Sequence, residues 1–400
     1  MSEEVFHGSF TQQEPLGEAA IEAALAVLRS GRLHRYNTLP GEISETARLE
    51  LEFAAYQGAR HCLACASGGY ALFLALRAFG VAPGEPVLTN AFTLAPVPGA
   101  IVHAGGRPVL VETTEALVID LDDLEQKIAA SGARLLLLSH MRGHVADMDA
   151  LVARLDRHRV ALIEDCAHTM GARWQGRQSG SFGVAGCFSA QTYKHINAGE
   201  GGLVTSDDPE LMARAVVLSG SYMFYDRHPA GPPAEAYRNV RLTTPNCSGR
   251  MDEVRAAILR PQIADLDRNV ARWNRRYRAV EEVLAGANRL RLPARPAEEA
   301  FVGSSIQFLM PGIDETGARA FVAACARRGV ELKWCGAPEP AGYTSRHDSW
   351  RYVAPQHLPK TDAILSGLFD MRLPLTFSLE DCRLIGRIIV ACAGAIEIDR

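Results

Sequence analysis

The segment from Ala161 to Asp207 places the strongest constraint on how this chain can fold. It begins with a short apolar run that ends in Glu164 and Asp165, the pattern of a buried strand with a carboxylate at its carboxyl end. A second short strand, a polar turn that carries Lys194, and a glycine cluster follow. The intervening chain is long enough to leave the first strand and return beside it, so Lys194 can come back to Asp165.

A buried aspartate and a lysine among glycines suit the chemistry of pyridoxal 5'-phosphate. The aldehyde of that cofactor needs a lysine amine, and its pyridine nitrogen needs a carboxylate that keeps it protonated. A protonated ring is the better electron sink, so a substrate carbon can lose its proton at neutral pH. Taken singly, Lys194 would be a solvated loop residue and Asp165 a helix cap or turn residue. Their order along the chain favours a cofactor site.

A glycine turn earlier in the chain offers a place for the phosphate of such a cofactor. Ser67, Gly68 and Gly69 follow a predicted strand over residues 61–66 and open a predicted helix. Backbone N–H groups at the start of a helix lie at the positive end of its dipole and bind anions. An ordinary strand-to-helix turn is the alternative interpretation of the same residues.

Strands alternate with helices over the first half of the chain, which predicts βαβ units and a mostly parallel sheet covered by helices. Ligands bind at the carboxyl ends of such strands, and Asp165, the turn at 67–69 and Leu94 all follow strand ends. The 400 residues are enough for two domains. We expect a large domain over residues 1–250, which starts with a flexible arm, and a smaller C-terminal α/β domain over residues 251–400.

Local signals also predict features of individual helices and loops. A helix over residues 252–285 contains Pro261, which should kink or divide it. Thr316 is expected to cap a later helix, and Ser378 with Asp381 forms a capping box for the last one.

The loop after the first helix is polar. It carries Arg32, Arg35 and Tyr36, which are expected to be solvated, with substrate contact as the alternative.

Composition excludes several functional classes. The formal net charge of −4 gives no pull toward nucleic acid, and no run of about 18 apolar residues indicates a membrane helix. The first ten residues lack the pattern of a secretory signal, so we expect a cytoplasmic protein with reduced, mostly buried cysteines. Cys62 and Cys65 form a Cys-x-x-Cys pair, but no second pair follows at ligand spacing. Neither a redox role nor a metal site is expected.

Four linked motifs in the second quarter of the chain make a specific signal. They are Glu164-Asp165-Cys166-Ala167-His168 with Gly171, then Phe188-Ser189, then Lys194, and then Gly199 to Gly202. The series resembles the DegT/DnrJ/EryC1/StrS family of sugar aminotransferases, a branch of the fold-type I pyridoxal phosphate enzymes. The resemblance extends over nearly the whole chain and is tight over residues 66–207 and near Arg250.

The resemblance implies an α/β fold with a mostly parallel sheet of the seven-stranded type, a smaller C-terminal α/β domain, and pyridoxal 5'-phosphate as cofactor. Lys194 would hold the aldehyde and then move the substrate proton as general base and acid. Asp165 would face the ring nitrogen. His168 would contact the ring or its oxygen, and a hydrogen-bonded core residue is the alternative for it.

The same resemblance also implies which residues would contact the phosphate and the ring face of the cofactor. Ser189 and the backbone N–H groups of Gly68 and Gly69 would bind the phosphate. Leu94 falls at the position of an aromatic residue that stacks on the ring in the family. Leucine can pack on a ring face, although it offers no aromatic partner.

The resemblance also implies a homodimer with shared active sites. In the family motif Gly-x-Asn-x-Arg-Met, the Asn reaches the cofactor phosphate of the partner subunit. Ser248 takes that position here, and Asn246 is the alternative donor. The long irregular segment 219–248 before it is expected to be functional or mobile.

The implied reaction moves an amino group from Glu or Gln to a keto sugar or related cyclic ketone, as in amino-sugar or natural-product biosynthesis. The sequence departs from the family at Gly69, Leu94, Arg142 and Ser248, which suggests an outlying branch and leaves the acceptor open. Sugar dehydration and a non-catalytic regulator are the alternatives. Family dehydratases carry His in place of the lysine, so Lys194 favours transfer.

Overall fold

A computed structural model describes residues 3–342 and 346–396. Its strands, in chain order, are β1 (His61–Cys65), β2 (Pro86–Asn90), β3 (Arg107–Val111), β4 (Leu135–Ser139), β5 (Ala161–Asp165), β6 (Arg173–Trp174), β7 (Arg177–Gln178), β8 (Ala185–Ser189), β9 (Gly202–Ser206), β10 (Glu299–Ala300), β11 (Ser305–Leu309), β12 (Lys333–Trp334) and β13 (Leu368–Arg372). Its α-helices are α1 (Glu18–Ser30), α2 (Glu45–Gln57), α3 (Gly68–Phe79), α4 (Pro96–His103), α5 (Leu121–Ser131), α6 (Met148–His158), α7 (Pro209–Leu218), α8 (Glu253–Leu259), α9 (Leu266–Leu284), α10 (Glu315–Arg327), α11 (Pro359–Ser366) and α12 (Leu379–Ala395).

The central sheet has seven strands in the order β1-β9-β8-β5-β4-β2-β3. β9 runs antiparallel to both of its neighbours, and the remaining neighbours pair in parallel. The mostly parallel seven-stranded sheet expected from the sequence is confirmed. Because of this arrangement, the carboxyl ends of β1, β5 and β8 and the beginning of β9 lie at the same edge of the sheet.

Helices cover both faces of this sheet, which explains why its central strands are apolar without alternation. All five residues of β4 are buried. Leu135 and Leu137 pack in the core with α3, α4 and α7, whereas Leu136 and Leu138 pack in the core with α5 and α6. Continuous apolar runs of this kind are typical of parallel strands that are buried on both faces.

A second sheet lies in the C-terminal part and has the antiparallel order β11-β13-β12. One of its faces carries Ile306, Phe308, Phe369 and Met371 into the core formed with α9, α10 and α12. The opposite face, called here the polar face of the small sheet, carries Ser305, Gln307, Lys333, Asp370 and Arg372. A further small sheet has the order β10-β6-β7.

The first residues of the described chain are not a flexible arm, and that prediction is wrong. Phe6 and Phe10 are buried and pack edge-to-face against Phe377. The backbone N–H of Phe6 donates to the carbonyl oxygen of Arg328. Aromatic burial therefore fixes this segment on the C-terminal core. The division of the chain near residue 250 stays a prediction.

Pro261 divides its helix as predicted. α8 ends at Leu259, a 3-10 turn covers Arg260–Asp265, and α9 begins at Leu266. Proline lacks the N–H that an α-helix needs and clashes with the preceding turn.

None of the helices in the described part of the chain is long and apolar enough to cross a bilayer.

Of the two predicted helix caps, one is confirmed and the other is wrong. Ser378 and Asp381 form the predicted capping box at the start of α12. Thr316 is wrong as a cap, because Asp314 precedes α10 and its carboxylate accepts the N–H of Gly317. Aspartate is at least as good an N-cap as threonine, and its charge suits the positive end of the helix dipole.

Candidate active site

The segments of the tightest motifs converge at the carboxyl edge of the central sheet. Asp165 ends β5 and Ser189 ends β8, its parallel neighbour. Gly202, the first residue of β9, pairs with Ser189 on one side and with Cys65, the last residue of β1, on the other. The turn before α3 therefore lies beside the end of β8.

The start of α3 is pressed against Ser189. Ser67 caps the helix by accepting the N–H of Tyr70. A Cβ at Gly68 would lie 2.6 Å from the Cβ of Ser189, and a Cβ at Gly202 would lie 2.1 Å from the carbonyl oxygen of Ser67. Both positions require glycine for this close approach. The first N–H groups of a helix have no partner within it, so this place combines such groups with a hydroxyl and can bind an anion.

The second predicted glycine is different. A Cβ at Gly69 would meet the Cβ of Pro96 only at 3.8 Å, so packing does not require glycine there. Its contribution to an anion site would be its backbone N–H alone.

Asp165 is buried and its carboxylate is held at both oxygens. Oδ2 accepts the hydroxyl of Ser139, the last residue of β4, at 2.8 Å. Oδ1 accepts the backbone N–H of Ala167 at 3.1 Å. These two bonds fix the orientation of the carboxylate at the sheet edge.

Lys194 lies in the turn after β8, and its Nζ is 2.7 Å from Nε2 of His168. Nδ1 of His168 accepts the backbone N–H of Arg142 at 3.1 Å, so the ring proton belongs on Nε2. Nε2 then donates to Lys194, which requires a neutral amine with a free electron pair.

The electrostatics of the site agree with a neutral amine. Burial, with repulsion from Arg142, lowers the pKa of Lys194 to about 7, and Asp165 opposes this shift. Burial and the neighbouring Lys194 also hold the pKa of His168 well below its usual range. A lysine with a pKa of about 7 is about half deprotonated at that pH, and its neutral form is a nucleophile and a base.

A cavity of about 60 Å³ adjoins the amine of Lys194, and we call it the Lys194 cavity. Its walls include Leu94, His168 and Lys194, so three predicted site residues meet here. They also include three cations, Arg142, Lys333 and Arg372. The structure therefore places Leu94 and Lys194 on the walls of one cavity.

Sequence reasoning missed Lys333 and Arg372, and it treated Arg142 only as a departure from a family pattern. Arg142 lies in a 3-10 turn with a φ of 55°, and its guanidinium pairs with Asp370 at 2.7 Å. A left-handed arginine is strained and persists where surrounding contacts hold it. The signal for Arg372 was the alternation in Leu368–Arg372, which puts Asp370 and Arg372 on one face of a strand.

Ser248 is not among the residues that line the Lys194 cavity. It is exposed, and its hydroxyl contacts the guanidinium of Arg250 at 3.0 Å and the hydroxyl of Tyr222 at 3.3 Å. Its predicted target is the cofactor phosphate of a second subunit, so its role stays a prediction.

The polar loop after α1 is partly buried, so its prediction is wrong for Arg35 and Tyr36. Arg35 donates to both carboxylate oxygens of Glu50, at 2.8 and 2.9 Å, and its side chain is inaccessible to solvent. The hydroxyl of Tyr36 is bonded to His228. Arg32 keeps the expected surface position and pairs with Glu42. Glu50 lies on α2, and no local pattern links it to Arg35.

One group of potential metal ligands occurs among the described residues: His140, Glu164 and Cys166. Glu164 is already bonded to His140, and it accepts the backbone N–H groups of Gly180, Phe182 and Gly183. These bonds hold the loop at 180–183 against β5.

The fold and this edge arrangement define the class of fold-type I pyridoxal phosphate enzymes. The model of the DegT/DnrJ/EryC1/StrS aminotransferase family matches residues 15–389. The chain belongs to that family.

Three relatives show the range of the similarity. The pleiotropic regulatory protein of Geobacillus stearothermophilus is 33% identical over 225 residues, 55% of this chain and 56% of that protein. L-glutamine:2-deoxy-scyllo-inosose aminotransferase of Streptoalloteichus tenebrarius is 35% identical over 268 residues, 66% of this chain and 62% of that protein. This chain therefore matches less than two thirds of the length of either. The crystal structure of 3-amino-5-hydroxybenzoic acid synthase has a TM-score of 0.82 at 26% identity and covers 96% of this chain and 99% of that one.

Proposed function

We propose that this protein is a pyridoxal phosphate-dependent aminotransferase that moves an amino group from Glu or Gln to a keto sugar or related cyclic ketone. The observation that carries the proposal is the 2.7 Å contact between Lys194 and His168, whose tautomer requires a neutral lysine amine. Family membership and the carboxylate of Asp165 at the same sheet edge support it.

The residues present fit the cofactor. The close contact of Gly68 with Ser189 leaves backbone N–H groups beside a hydroxyl, which suits a phosphate. Asp165 would face the ring nitrogen, Lys194 would take the aldehyde, and Leu94 with His168 would lie at the ring. When bound, pyridoxal phosphate supplies the aldehyde that accepts the amino group and the ring that withdraws electrons from the substrate carbon.

The chain's own groups then have distinct tasks. The neutral amine of Lys194, once free, takes the proton from the substrate carbon and returns it as an acid. His168 donates to that amine and orients it, and the backbone N–H of Arg142 holds the imidazole in the required tautomer. Ser139 and the N–H of Ala167 keep the Asp165 carboxylate pointing in one direction.

We also propose that the protein acts as a homodimer in which Ser248 reaches the cofactor phosphate of the second subunit. Exposure of Ser248 and of the neighbouring Tyr222, Met223 and Phe224 supports this, because a partner would cover them. The similarity to a regulatory protein of Geobacillus stearothermophilus supports a second candidate, a non-catalytic regulator with the same fold.

The test is an absorbance spectrum of the purified protein with pyridoxal phosphate, before and after addition of Glu or Gln. We expect the wild type to show the band of lysine-bound cofactor and to convert it to the pyridoxamine form. Lys194→Ala should show neither. Lys360→Ala, which removes an exposed lysine elsewhere, is the matched control and should behave as wild type.

The outcomes separate the candidates. A band of lysine-bound cofactor that forms but does not change when Glu or Gln is added would favour the regulator or a different reaction. The absence of a band, or an unchanged band in Lys194→Ala, would refute the proposed site.

A further inference from the structure

Arg142 has a backbone conformation that an arginine rarely adopts. It lies in the 3-10 turn Met141–Gly143 with a φ of 55° and a ψ of 25°, the left-handed region that favours glycine. Its backbone N–H donates to Nδ1 of His168, whose Nε2 faces the amine of Lys194. The direction of that N–H, and with it the donor at Nδ1, depends on the conformation of this one residue.

The side chain of Arg142 is held by the C-terminal sheet. Its guanidinium forms an ion pair with the carboxylate of Asp370 on β13 at 2.7 Å, and the two side chains are only 9% and 2% exposed. The amide of Gln307 on β11 donates to the other carboxylate oxygen of Asp370 at 2.8 Å. A buried ion pair is costly to separate, because each charge is then left without a partner inside the protein. The pair therefore ties the turn to β13.

Two further contacts hold the residues that follow Arg142. The carbonyl oxygen of Gly143 accepts an N–H of Arg295 at 2.9 Å. Nε2 of His144 lies 2.8 Å from Oε1 of Gln307, the side chain that also engages β13. Three consecutive residues are thus held by groups from the C-terminal part of the chain. Such contacts offset the strain of a left-handed arginine.

Several charges act on the lysine that this turn faces. Burial, followed by repulsion from Arg142, lowers the pKa of Lys194 to about 7, and Asp165 opposes the shift. The charged and titratable groups around the amine come from several elements: Arg142, Asp165, His168, His195, Lys333 and Arg372. An experiment on the turn must therefore separate the charge of Arg142 from the position of its backbone.

We propose that Asp370 is a positioning residue that acts on the reactive lysine through the turn. Its ion pair keeps Arg142 in the left-handed conformation. The backbone N–H of Arg142 then keeps His168 in the tautomer that donates to the amine of Lys194. The inference rests on the proposed function, which needs a neutral amine. The sequence departs from the family at Arg142, so the family pattern does not imply this arrangement.

Release of the turn should change the titration of Lys194 in a known direction. Without the N–H of Arg142, the ring proton of His168 can move to Nδ1, and Nε2 then accepts a bond from the ammonium form of Lys194. That bond favours the charged form, so the pKa of Lys194 rises. Loss of the negative charge of Asp370 would by itself act in the opposite direction, because it leaves the surrounding cations less balanced.

The first test compares two substitutions at position 142. Arg142→Ala and Arg142→Gly lose the same guanidinium, but glycine adopts the left-handed conformation without strain and alanine does not. The pKa of Lys194 is measured in the cofactor-free protein by competitive labelling with acetic anhydride across a pH series, with mass spectrometry of the labelled peptides. Lys360, which is exposed, is the internal reference in every sample. We expect the pKa of Lys194 to be about one unit higher in the alanine variant than in the glycine variant.

The second test changes the ion pair. We expect Asp370→Asn to raise the pKa of Lys194, against the direction of the charge effect alone. In the Arg142→Gly background the same change should not raise it, because no left-handed arginine remains to be held. Arg159→Ala is the matched control and should leave the titration of Lys194 unchanged. It removes an exposed arginine that also has a φ of 55°, at the end of α6.

Two results would overturn the inference. Equal pKa values of Lys194 in Arg142→Ala and Arg142→Gly would show that Arg142 acts by its charge alone. A pKa that falls or stays the same in Asp370→Asn would show that Asp370 does not act through the turn. Failure of the proposed function is a separate result, because it appears as no conversion of the bound cofactor by Glu or Gln, whereas the labelling uses the cofactor-free protein.

Discussion

At the scale of single residues, the site depends on a lysine whose pKa is lowered to about 7, so that its amine is partly neutral where a lysine is ordinarily charged. Nε2 of His168 points a proton at the amine, and Arg142 repels the charged form. The same surroundings that make Lys194 reactive disfavour its protonated state, so they lower the stability of the cofactor-free fold.

We expect Lys194→Met to raise the free energy of unfolding of the cofactor-free protein by about 2 kcal/mol at pH 7, a value reduced because the side chain keeps some solvent contact. The pKa of Lys194 is about 7 in the fold against 10.5 for a free side chain. The destabilisation is complete below about pH 7. It falls as the pH rises from about 7 to about 10.5, and it disappears above about pH 10.5. Urea unfolding at pH 7 and pH 9.5 should therefore show a smaller gain at the higher pH.

Lys360→Met is the control for this experiment. Asp120 raises the pKa of that exposed lysine, so its removal should give no gain at pH 7. A gain for Lys194→Met that is the same at both pH values would show that added apolar contact, and not the charge, is responsible.

Residue by residue, what the sequence could predict depended on the distance between partners. Asp165, Ser189 and Lys194 belong to one continuous segment, and the structure brings them to one edge. Arg372 reaches the same cavity from a strand far along the chain, and Arg35 is buried by a glutamate on another element. No local pattern in the sequence predicts burial or pairing between residues that lie so far apart along the chain.

At the scale of elements, periodicity and breaker residues predicted most of what forms. Apolar runs gave the buried strands, and Pro261 gave the division between α8 and α9. The prediction of a helix cap was wrong at α10, where Asp314 and Thr316 are both residues that can cap a helix. The two-residue strands β6, β7 and β10 are too short to carry a pattern, and tertiary contacts form them.

The two possible caps of α10 can be compared directly. We expect Asp314→Ala to lower the free energy of unfolding by about 1 kcal/mol, because the N–H of Gly317 loses its acceptor. Thr316→Ala should change it by less than about 0.5 kcal/mol. Chemical denaturation of both variants is the measurement, and a larger loss for the threonine variant would reverse the assignment.

At the scale of the whole molecule, the alternation of strands and helices predicted the mostly parallel, helix-covered sheet, and the family resemblance added its seven strands. The docking of the first residues on the C-terminal core was not predictable, because Phe6 and Phe10 lack any regular spacing with their partners. Several apolar side chains near the start of the chain remain exposed: Ile21, Leu25, Leu28, Leu33, Leu39 and Ile43. These side chains are candidates for the contact in the proposed homodimer.

We expect the protein to sediment as a dimer, at about twice the 43.4 kDa of one chain. The double change Leu25→Glu and Leu28→Glu should shift the equilibrium toward monomer by placing charges in the interface. Leu379→Glu, on an exposed apolar residue of α12, is the control and should leave the dimer intact. A wild-type monomer at micromolar concentration would contradict the shared site.

The alternation along β13 has a consequence for how this protein can diversify. Phe369 and Met371 pack in the apolar core, while Asp370 and Arg372 lie on the polar face of the small sheet, where Arg372 lines the Lys194 cavity. A point change at Arg372 alters a wall of the cavity, whereas a change at Asp370 would leave the buried Arg142 without its ion-pair partner. Insertion of one residue would exchange the two sets and damage both. New specificities should therefore arise in this branch by substitution within a strand of constant length.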